Sequence, residues 1–376
     1  MANSWRINAL RDRHLALGSQ LEDWNGMGTA WTYATDLADH HEAIRTRAGL
    51  MDVSGLKKVH YVGPHAESLL DWATTRDLSK LYPGKSVYAC MLDEDGTFAD
   101  DCIVYRTGPN AFMVVHGAGN GHELLTRSAQ GRQVAVLFDD DLLDLSLQGP
   151  RAVDFLAEHV PGIRDLPYFH HLQGKLFECP VMISRTGYTG ERGYEIFCKT
   201  ADATTIWDGI LEKGKDLGII PCAFTALDWL RVESSLLFFP YDNSQMYPFA
   251  DQKAGDTLWE LGLDFTVSPG KRDFRGAGEH YRRQGQERFR IFGVLLEGKE
   301  AAQAGDGLWH AGEEVGLITC ACYSRLTGRS MAIARLSPAC AEQGVPLQVR
   351  GSLHVDAIAH SLPFDDPEKK KRTAKG

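Results

Sequence analysis

Hydrophobic and polar residues alternate in five segments of the first half of the chain, each bounded by Gly, Pro, Asn or Asp. A period of two residues is typical of a β-strand with one buried face. The predicted strands cover residues 58–62, 102–106, 111–115, 133–138 and 142–148. Four other segments carry apolar residues at helical spacing: residues 65–73, 151–160, 204–218 and 225–237. Because helices interrupt the strands irregularly, the pattern predicts an α+β fold rather than a regular βαβ series.

The last hundred residues have a different pattern. From about residue 280 onward, short strands recur at regular intervals with turn residues between them. This spacing is typical of a small β-barrel or sandwich. The final segment, DDPEKKKRTAKG, is a run of charges and predicts a frayed basic tail. Changes of pattern near residues 54, 139 and 280 therefore mark the expected domain boundaries.

Composition narrows the classes of function. The chain has 376 residues, of which 43% are hydrophobic and 24% charged, so it can bury two or three packed units. With 50 acidic against 40 basic residues its net charge is −10, which disfavours nucleic acid and anionic membranes as partners. No segment approaches the ~18 apolar residues of a spanning helix. We therefore expect a cytoplasmic protein with no nucleic-acid or membrane partner.

Metal binding is not predicted. Histidine pairs occur at 40–41 and 170–171, and Cys320 lies two positions before Cys322. None of these pairs has a second pair of ligands at the spacing that zinc sites use.

Two adjacent carboxylates open the strand predicted at 102–106. Asp100 and Asp101 follow a glycine turn in the segment DEDGTFADDCIVYR. Side chains alternate along a strand, so the two must point to opposite faces of the sheet. One should cap the turn or meet solvent, and the other should face the interior, where a carboxylate needs a cationic or hydrogen-bonded partner. The residues alone favour a structural role in the turn.

A glutamate and an arginine occur in apolar surroundings further along. Glu195 lies in SRTGYTGERGYEIFC, where three glycines would allow close backbone approach to a ligand before the strand begins. Such a glutamate binds a planar pair of donors, either a guanidinium or the amino-pyrimidinone edge of a pterin, and an internal arginine is the commoner partner. Arg231 lies on the helix predicted at 225–237, and its expected partner is a carboxylate of the protein or of a ligand.

Six stretches together resemble the aminomethyltransferase (T-protein) family of the glycine cleavage system. The family's tetrahydrofolate-dependent relatives, such as dimethylsulfoniopropionate demethylase, share them. The stretches are HEAIRTRAGLMDVS, GKSVYACMLDEDGTFADDCIVYR, LSLQGPRA, SRTGYTGERGYEI, ALDWLRVES and GLITCACYSRLTGRSMAIARL. The resemblance implies a three-domain cloverleaf around a central folate channel. Its expected units are a discontinuous folate-binding domain (1–53 with 140–279), an antiparallel-sheet domain (54–139) and a C-terminal β-barrel or jelly-roll-like domain (280–376).

The resemblance also implies roles for single residues. Asp100 matches the family's catalytic carboxylate, and Tyr88, Tyr188, Glu195 and Arg231 match positions that contact the folate. The substrate side departs from the family pattern. Gly55–Leu56 replaces the usual His-Met, Leu227 replaces an arginine, and a histidine stands at 116 where asparagine is common. The candidate substrate residues are His116, Trp31, Phe239 and Tyr241.

The expected function is therefore an enzymatic one-carbon transfer with tetrahydrofolate as cofactor and no metal. Our first interpretation is a demethylase that moves a methyl group from a small N-, S- or O-methylated donor to N5 of tetrahydrofolate. The second is the true T-protein, which receives an aminomethyl group from a lipoyl carrier protein. A third is a folate-binding protein without turnover.

Overall fold

The structure, a computed structural model, describes residues 6–248 and 255–374. Its core consists of two large sheets and a closed six-stranded barrel. The α+β class and the C-terminal barrel predicted from the sequence are confirmed. The domain boundaries proposed above stay predictions.

The first sheet has six strands, with β13 parallel to its neighbour β3 and the other pairs antiparallel. Its strands in spatial order are β10 (His171–Leu176), β11 (Cys179–Ser184), β12 (Gly193–Lys199), β9 (Leu142–Gln148), β3 (Ala48–Asp52) and β13 (Ile219–Pro221). Accompanying it are α1 (Arg11–Ala16), the hairpin β1 (Glu22–Trp24) and β2 (Met27–Thr29), α2 (Leu37–Thr46), α5 (Ala152–His159), α6 (Ala203–Lys213) and α7 (Ala226–Ser234). All five residues of β3 are buried, so this strand lacks the alternation by which the sequence predicts strands.

The second sheet has five antiparallel strands. In spatial order they are β5 (Ser86–Leu92), β6 (Phe98–Gly108), β7 (Ala111–His116), β4 (Lys57–Val62) and β8 (Ala135–Phe138). One face of this sheet packs with α3 (Ala66–Ala73) and α4 (Gly121–Ala129). The other face meets the first sheet, where Tyr105 and Met113 pack against Met182 and Phe197. Residues of β6 that point to this second face therefore lie between the two sheets.

The barrel closes the C-terminal part of the chain. Its strands in spatial order are β14 (Arg290–Leu296), β17 (Arg329–Leu336), β16 (Glu313–Ser324), β15 (Gly307–His310), β18 (Pro346–Arg350) and β19 (His354–His360). The short helices α8 (Leu258–Leu261) and α9 (Ala277–Arg282) precede it, and α10 (Lys370–Thr373) follows it. The barrel packs against α7 through Val232, Cys322, Met331 and Ile333.

The basic tail is docked on the protein, whereas the sequence predicts that it is frayed. The backbone nitrogen of Asp365 donates to the carbonyl of Glu233 at 2.9 Å. Arg185 donates to the carbonyl of Arg372 at 3.2 Å. A charge run alone does not reveal these contacts, because their partners lie more than a hundred residues away in the sequence.

Within the two described ranges, we find no helix that is both long and apolar enough to cross a membrane.

Candidate active site

Asp101, not Asp100, lies on the face of β6 that points between the two sheets. The Tyr88 hydroxyl on the neighbouring strand β5 donates to Asp101 Oδ2 at 2.8 Å. Burial, and secondarily the charge of Asp100, raise the pKa of Asp101 to about 7, although the hydrogen bond from Tyr88 opposes this shift. Asp101 is nevertheless partly exposed. It is therefore a carboxyl group that is open to a ligand and able to exchange a proton near neutral pH.

Asp100 and His116 lie together on the opposite, helix-covered face of this sheet. Asp100 Oδ2 is 2.9 Å from His116 Nδ1 and accepts a hydrogen bond from the Gly121 backbone nitrogen at 3.1 Å. A Cβ atom on Gly119 would lie 2.4 Å from the Asp100 carboxyl carbon, and one on Gly121 would lie 2.7 Å from its Oδ2, so these two glycines leave room for this side chain. The structure thus separates Asp100 and His116 from the face that carries Asp101. The sequence interpretation assigned the catalytic role to Asp100, whereas the carboxyl group that faces the space between the two sheets is that of Asp101.

Glu195 on β12 reaches the same space from the first sheet. Its Oε2 accepts hydrogen bonds from Thr186 and from the Tyr105 hydroxyl, the latter at 3.3 Å. Tyr105 is four residues after Asp101 on β6, so the two Cα atoms are about 13 Å apart. In the described ranges, Glu195 Oε1 accepts no hydrogen bond although the residue is only 7% exposed. A buried carboxylate with one oxygen unused fits a ligand that presents an N–H group, as the edge of a pterin does.

A second buried carboxyl group stands beside Glu195. Asp144 on β9 is fully buried, and both of its carboxyl oxygens have no hydrogen-bond partner among the residues described. Burial, followed by the charge of Glu195, raises the pKa of Asp144 well above its usual value. Burial likewise raises the pKa of Glu195. Burial thus opposes ionisation of both carboxyl groups, while the nearby charge of Lys58 acts in the other direction on Asp144.

The three glycines before β12 are explained by protein contacts. A Cβ atom on Gly187 or Gly193 would lie 2.1 Å or 2.0 Å from Gln148 Oε1. On Gly190, whose φ is 82°, it would lie 2.0 Å from Ser234 Oγ. Gln148 Nε2 donates to the Thr186 carbonyl at 3.2 Å and so fixes the loop that carries a partner of Glu195. The glycines thus allow close packing on Gln148 and Ser234, whereas the sequence interpretation assigned them to backbone contact with a ligand.

Arg231 on α7 has carboxylate partners within the protein. Its Nη1 donates to Asp242 Oδ2 at 2.5 Å and its Nε to Asp228 Oδ1 at 2.9 Å. The Thr319 hydroxyl of the barrel donates to the other oxygen of Asp242. Asp242 and Asp228 are residues that the sequence interpretation missed, although its expectation of a carboxylate partner included such a pair. A folate contact of Arg231 stays a prediction, and the charge of this guanidinium is already balanced.

The aromatic candidates divide into two groups. Tyr188 donates from its hydroxyl to the Leu237 carbonyl beside Arg231. The Tyr241 ring stacks on Phe238 at 5.4 Å between centroids, and the Phe238 ring lies 5.6 Å from the Arg231 guanidinium carbon. Both tyrosines therefore belong to the surroundings of Arg231.

The other two aromatic candidates pack elsewhere. Phe239 is 8% exposed and packs on Phe98 at 4.0 Å between ring centroids, which makes it a core residue. Trp31 packs edge-on against Phe224 at 4.5 Å, and its carbonyl caps the start of α7 by accepting hydrogen bonds from Thr225. Phe239 shares its core cluster with Cys90 and Tyr88, so it packs behind the tyrosine that donates to Asp101.

Metal-ligating side chains do not assemble into a site in the part of the chain that the structure covers. Residues 6–248 and 255–374 contain no group of three or more His, Cys, Asp or Glu side chains that could hold a metal ion.

Two family domains match this chain. The GCVT N-terminal domain matches residues 10–271, and the glycine cleavage T-protein C-terminal barrel domain matches residues 290–366. The chain therefore belongs to the glycine cleavage T-protein family.

Particular relatives sharpen this assignment. The chain is 88% identical, over all 376 residues and the whole relative, to the heme-dependent oxidative N-demethylase gamma subunit of Ectopseudomonas mendocina. It is 32% identical to the aminomethyltransferase of Streptomyces coelicolor, over 97% of this chain and 98% of the relative. Among solved structures it resembles the glycine cleavage system aminomethyltransferase T from Bartonella henselae, with a TM-score of 0.85 and 26% identity over 96% of this chain and 98% of that protein.

Proposed function

We propose that this chain is a tetrahydrofolate-dependent one-carbon transferase that serves as a subunit of an N-demethylase. The observation that carries the proposal is the 88% identity, along the whole length of both chains, to a protein named as the gamma subunit of such an enzyme. A gamma subunit implies partner subunits. The role of a T-protein-like chain in that assembly would be to receive the carbon that the demethylation removes.

We assign the heme named for the relative to a partner subunit. The matched domains, over residues 10–271 and 290–366, are both T-protein domains, and the relative is named as one subunit of the heme-dependent enzyme.

An oxidative demethylation fixes the oxidation level of the carbon that reaches this chain. Oxidation of an N-methyl amine by two electrons, followed by hydrolysis, releases the carbon as formaldehyde. Tetrahydrofolate supplies two nucleophilic nitrogens, N5 and N10, which condense with formaldehyde to give 5,10-methylene-tetrahydrofolate and one water. This product differs from the 5-methyl-tetrahydrofolate of our first sequence interpretation, and the reaction consumes no further oxidant.

The residues of the candidate site support this chemistry. With a pKa of about 7, Asp101 can take a proton from a nitrogen and return it to the oxygen that leaves as water. The Tyr88 hydroxyl holds the carboxylate in place. Glu195 can bind the amino edge of the pterin through its unused Oε1, while Thr186 and Tyr105 hold Oε2. The arrangement positions a ligand and supplies one exchangeable proton, which are the two contributions that such a condensation needs.

Mass spectrometry of the folate products tests the proposal. The purified chain is incubated with tetrahydrofolate and one of three donors: ¹³C-formaldehyde at micromolar concentration, an aminomethyl-lipoyl carrier protein, or a panel of methylated amines, sulfonium acids and methoxy-arenes. We expect formation of 5,10-methylene-tetrahydrofolate from formaldehyde faster than in the absence of protein. Dependence on the carrier protein would instead identify a T-protein, and 5-methyl-tetrahydrofolate from a free methylated compound would identify a direct demethylase. Either result would overturn the proposal.

The adjacent carboxylates provide a matched pair of variants. Asp101→Asn should lower the rate by about 10²–10⁴-fold, because the exchangeable proton is lost. Asp100→Asn should keep most of the activity, and its pH–rate profile should shift to lower pH because the charge of Asp100 helps to raise the pKa of Asp101. Full activity of Asp101→Asn would contradict the role given to this residue. Circular dichroism and thermal unfolding of both variants check that they are folded.

A further inference from the structure

The ion-pair group around Arg231 has one more negative charge than positive charges. This guanidinium pairs with two carboxylates, those of Asp242 and Asp228. Asp242 is fully buried, and both of its oxygens accept hydrogen bonds, from Thr319 and from Arg231. Asp228 accepts from Arg231 at Oδ1, its side chain is 39% exposed, and its Oδ2 accepts no hydrogen bond in the described ranges. The unbalanced charge is therefore open to a cationic ligand at Asp228.

The helix α7 supplies no second cation to balance Asp228. Arg231 is the only Lys or Arg residue among the nine residues of this helix. Leu227, which stands where the family pattern has an arginine, is 4% exposed and lies in the core cluster with Trp24 and Phe224. The position beside Asp228 thus contributes an apolar contact in place of a positive charge.

Aromatic rings lie near this carboxylate. The partly exposed Tyr241 ring stacks on Phe238, and the Phe238 ring lies 6.4 Å from the Trp24 ring. Burial raises the pKa of Tyr241 and the charge of Asp228 raises it further, so this ring and the carboxylate are within electrostatic range. The indole nitrogen of Trp24 is buried and has no hydrogen-bond partner among the residues that the structure describes. The surface therefore offers a carboxylate, an aromatic face and an unused N–H donor to one ligand.

Tyr188 connects this surface to the candidate reaction centre. Its hydroxyl donates to the Leu237 carbonyl, next to Phe238 in the chain. Burial raises the pKa of Tyr188; the charge of Arg231 opposes this shift, and the charges of Asp101 and Asp228 add to it. Tyr188 is thus within electrostatic range of both the exchangeable carboxyl group and the unbalanced one. A small ligand with its cationic end at Asp228 can extend past Tyr188 toward Asp101.

Oxidation of an N-methyl amine produces such a ligand before it produces formaldehyde. The first product has a hydroxymethyl group on its nitrogen, and this nitrogen can carry a proton. The N-hydroxymethyl amine therefore combines a cation, a hydroxyl group and the carbon that is to be transferred. These three features correspond to the carboxylate and ring, the unused donor and the exchangeable carboxyl group of the protein.

We propose that the donor to this chain is the N-hydroxymethyl amine itself, whose ammonium binds Asp228 and the Tyr241 ring while its methylene carbon faces Asp101. N5 of tetrahydrofolate forms a bond to this carbon, and the bond from the carbon to the donor nitrogen breaks. The amine leaves with that electron pair, and Asp101 passes it the proton of N5. N10 then attacks the same carbon, and the hydroxyl group leaves as water with the proton of N10.

The atoms and electrons of this sequence balance. One N-hydroxymethyl amine and one tetrahydrofolate give 5,10-methylene-tetrahydrofolate, one amine and one water, and no oxidant is consumed. This inference rests on the proposed function, because it takes tetrahydrofolate as the acceptor.

The response of the reaction to free amines tests the inference. Methylamine and dimethylamine combine with formaldehyde in solution to form N-hydroxymethyl amines, whereas trimethylamine has no N–H and forms none. At fixed ¹³C-formaldehyde and tetrahydrofolate, either of the first two should raise the rate of 5,10-methylene-tetrahydrofolate formation, above the rate without protein, by about tenfold and with saturation. Protonated trimethylamine should occupy the surface at Asp228 and suppress this gain.

Matched variants separate the carboxylate and the ring from a general change of charge. In Asp228→Asn the ratio of the rates with and without dimethylamine should fall to about twofold or less. Tyr241→Leu should also lower this ratio, and Tyr241→Phe, which keeps the ring, should restore it. Asp216→Asn, which alters an exposed carboxylate after α6, should retain the full ratio.

The outcomes distinguish this inference from the proposed function. A rate that responds to neither amine, or an undiminished ratio in Asp228→Asn, would overturn the inference and leave the proposed function intact. No formation of 5,10-methylene-tetrahydrofolate above the uncatalysed rate, with or without amine, would overturn both.

Discussion

At the scale of single residues, the direction of a side chain decides its chemistry. Asp100 and Asp101 are chemically identical neighbours, yet one binds His116 and the Gly121 backbone under a helix while the other meets Tyr88 between two sheets. Because side chains alternate along a strand, the two must point to opposite faces of the sheet, but the alternation does not indicate which face meets a ligand. A later residue of the strand indicates the face, because Tyr105 points to the same side of β6 as Asp101 and its hydroxyl donates to Glu195.

The departure from the family pattern at Gly55 also has a local explanation. A Cβ atom at this position would lie 2.3 Å from Cε3 of the Trp24 ring, so the residue must be glycine for the ring to lie there. The same ring packs on Phe224 at 4.6 Å between centroids. Gly55 thus makes room for the Trp24 ring in a packed aromatic cluster.

Gly55→Ala should therefore destabilise the protein. Forcing the Trp24 ring away should cost about 1–3 kcal/mol of unfolding free energy, as overpacking does. Gly278→Ala is the control, since a Cβ atom on this exposed glycine of α9 meets nothing within 4 Å, and alanine should raise stability by about 0.5–1 kcal/mol. Urea unfolding measures both values. Equal stability of the two variants would show that the Trp24 contact is not constraining.

At the scale of elements, an ion-pair cluster joins α2 to α7. Glu233 Oε2 accepts hydrogen bonds from Arg45 Nε at 2.7 Å and from His41 Nε2 at 2.9 Å. Arg45 Nη1 also donates to Glu191 at 2.9 Å, on the loop before β12. Burial would raise the pKa of Glu233, but the His41 hydrogen bond and the charge of Arg45 outweigh it and lower this pKa to about 2. The cluster therefore holds the glycine-rich loop and the helix of Arg231 together.

This cluster predicts acid sensitivity. A carboxylate whose pKa is lowered in the folded state stabilises it above its unfolded pKa of about 4.5, and this contribution disappears as pH falls toward about 2. In Glu233→Gln the unfolding free energy should be lower by about 3 kcal/mol at pH 7, and its decline between pH 4.5 and 2 should be shallower. Glu212→Gln, which alters an exposed carboxylate on α6, should leave both unchanged. Urea unfolding across this pH range tests the prediction, which an unchanged decline in Glu233→Gln would contradict.

At the scale of the whole molecule, the residues of the candidate site come from three parts of the fold. The five-stranded sheet carries Tyr88 and Asp101, the six-stranded sheet carries Glu195, and the barrel holds Asp242, the partner of Arg231, through Thr319. A ligand that contacts groups from more than one unit should stabilise the units against unfolding together.

Thermal unfolding with a folate present tests this coupling. At a concentration of 5-formyl-tetrahydrofolate about 100 times its Kd, the folded state gains about 2.7 kcal/mol, which for a chain of this length raises Tm by about 3 °C. Glu195→Gln should lose most of this rise while its Tm without ligand stays close to that of the unmodified protein, because glutamine can still accept the Thr186 and Tyr105 hydrogen bonds. An equal rise in both proteins would rule out Glu195 as a folate contact.

The sequence by itself determined the local structure and the family. Periodicity located the cores of α3, α5 and α6, because each of these helices has one buried face and its apolar residues follow that face. It also located β9, whose apolar and polar residues alternate although six of its seven residues are buried. It failed for β3, which is buried on both faces, and it extended α7 past Ser235, whose φ of 57° ends the helix.

Only the tertiary structure decided how the charged groups are used. It placed the side chain of Asp101, and not that of Asp100, between the two sheets, paired Arg231 with Asp242, and docked the basic tail beside Phe265. Each outcome depends on which residues, distant in the sequence, come within hydrogen-bonding or electrostatic range once the units pack. The sequence pattern of one segment does not indicate which distant residues will pack against it. Motif spacing therefore identified the candidate charged groups but could not assign their partners.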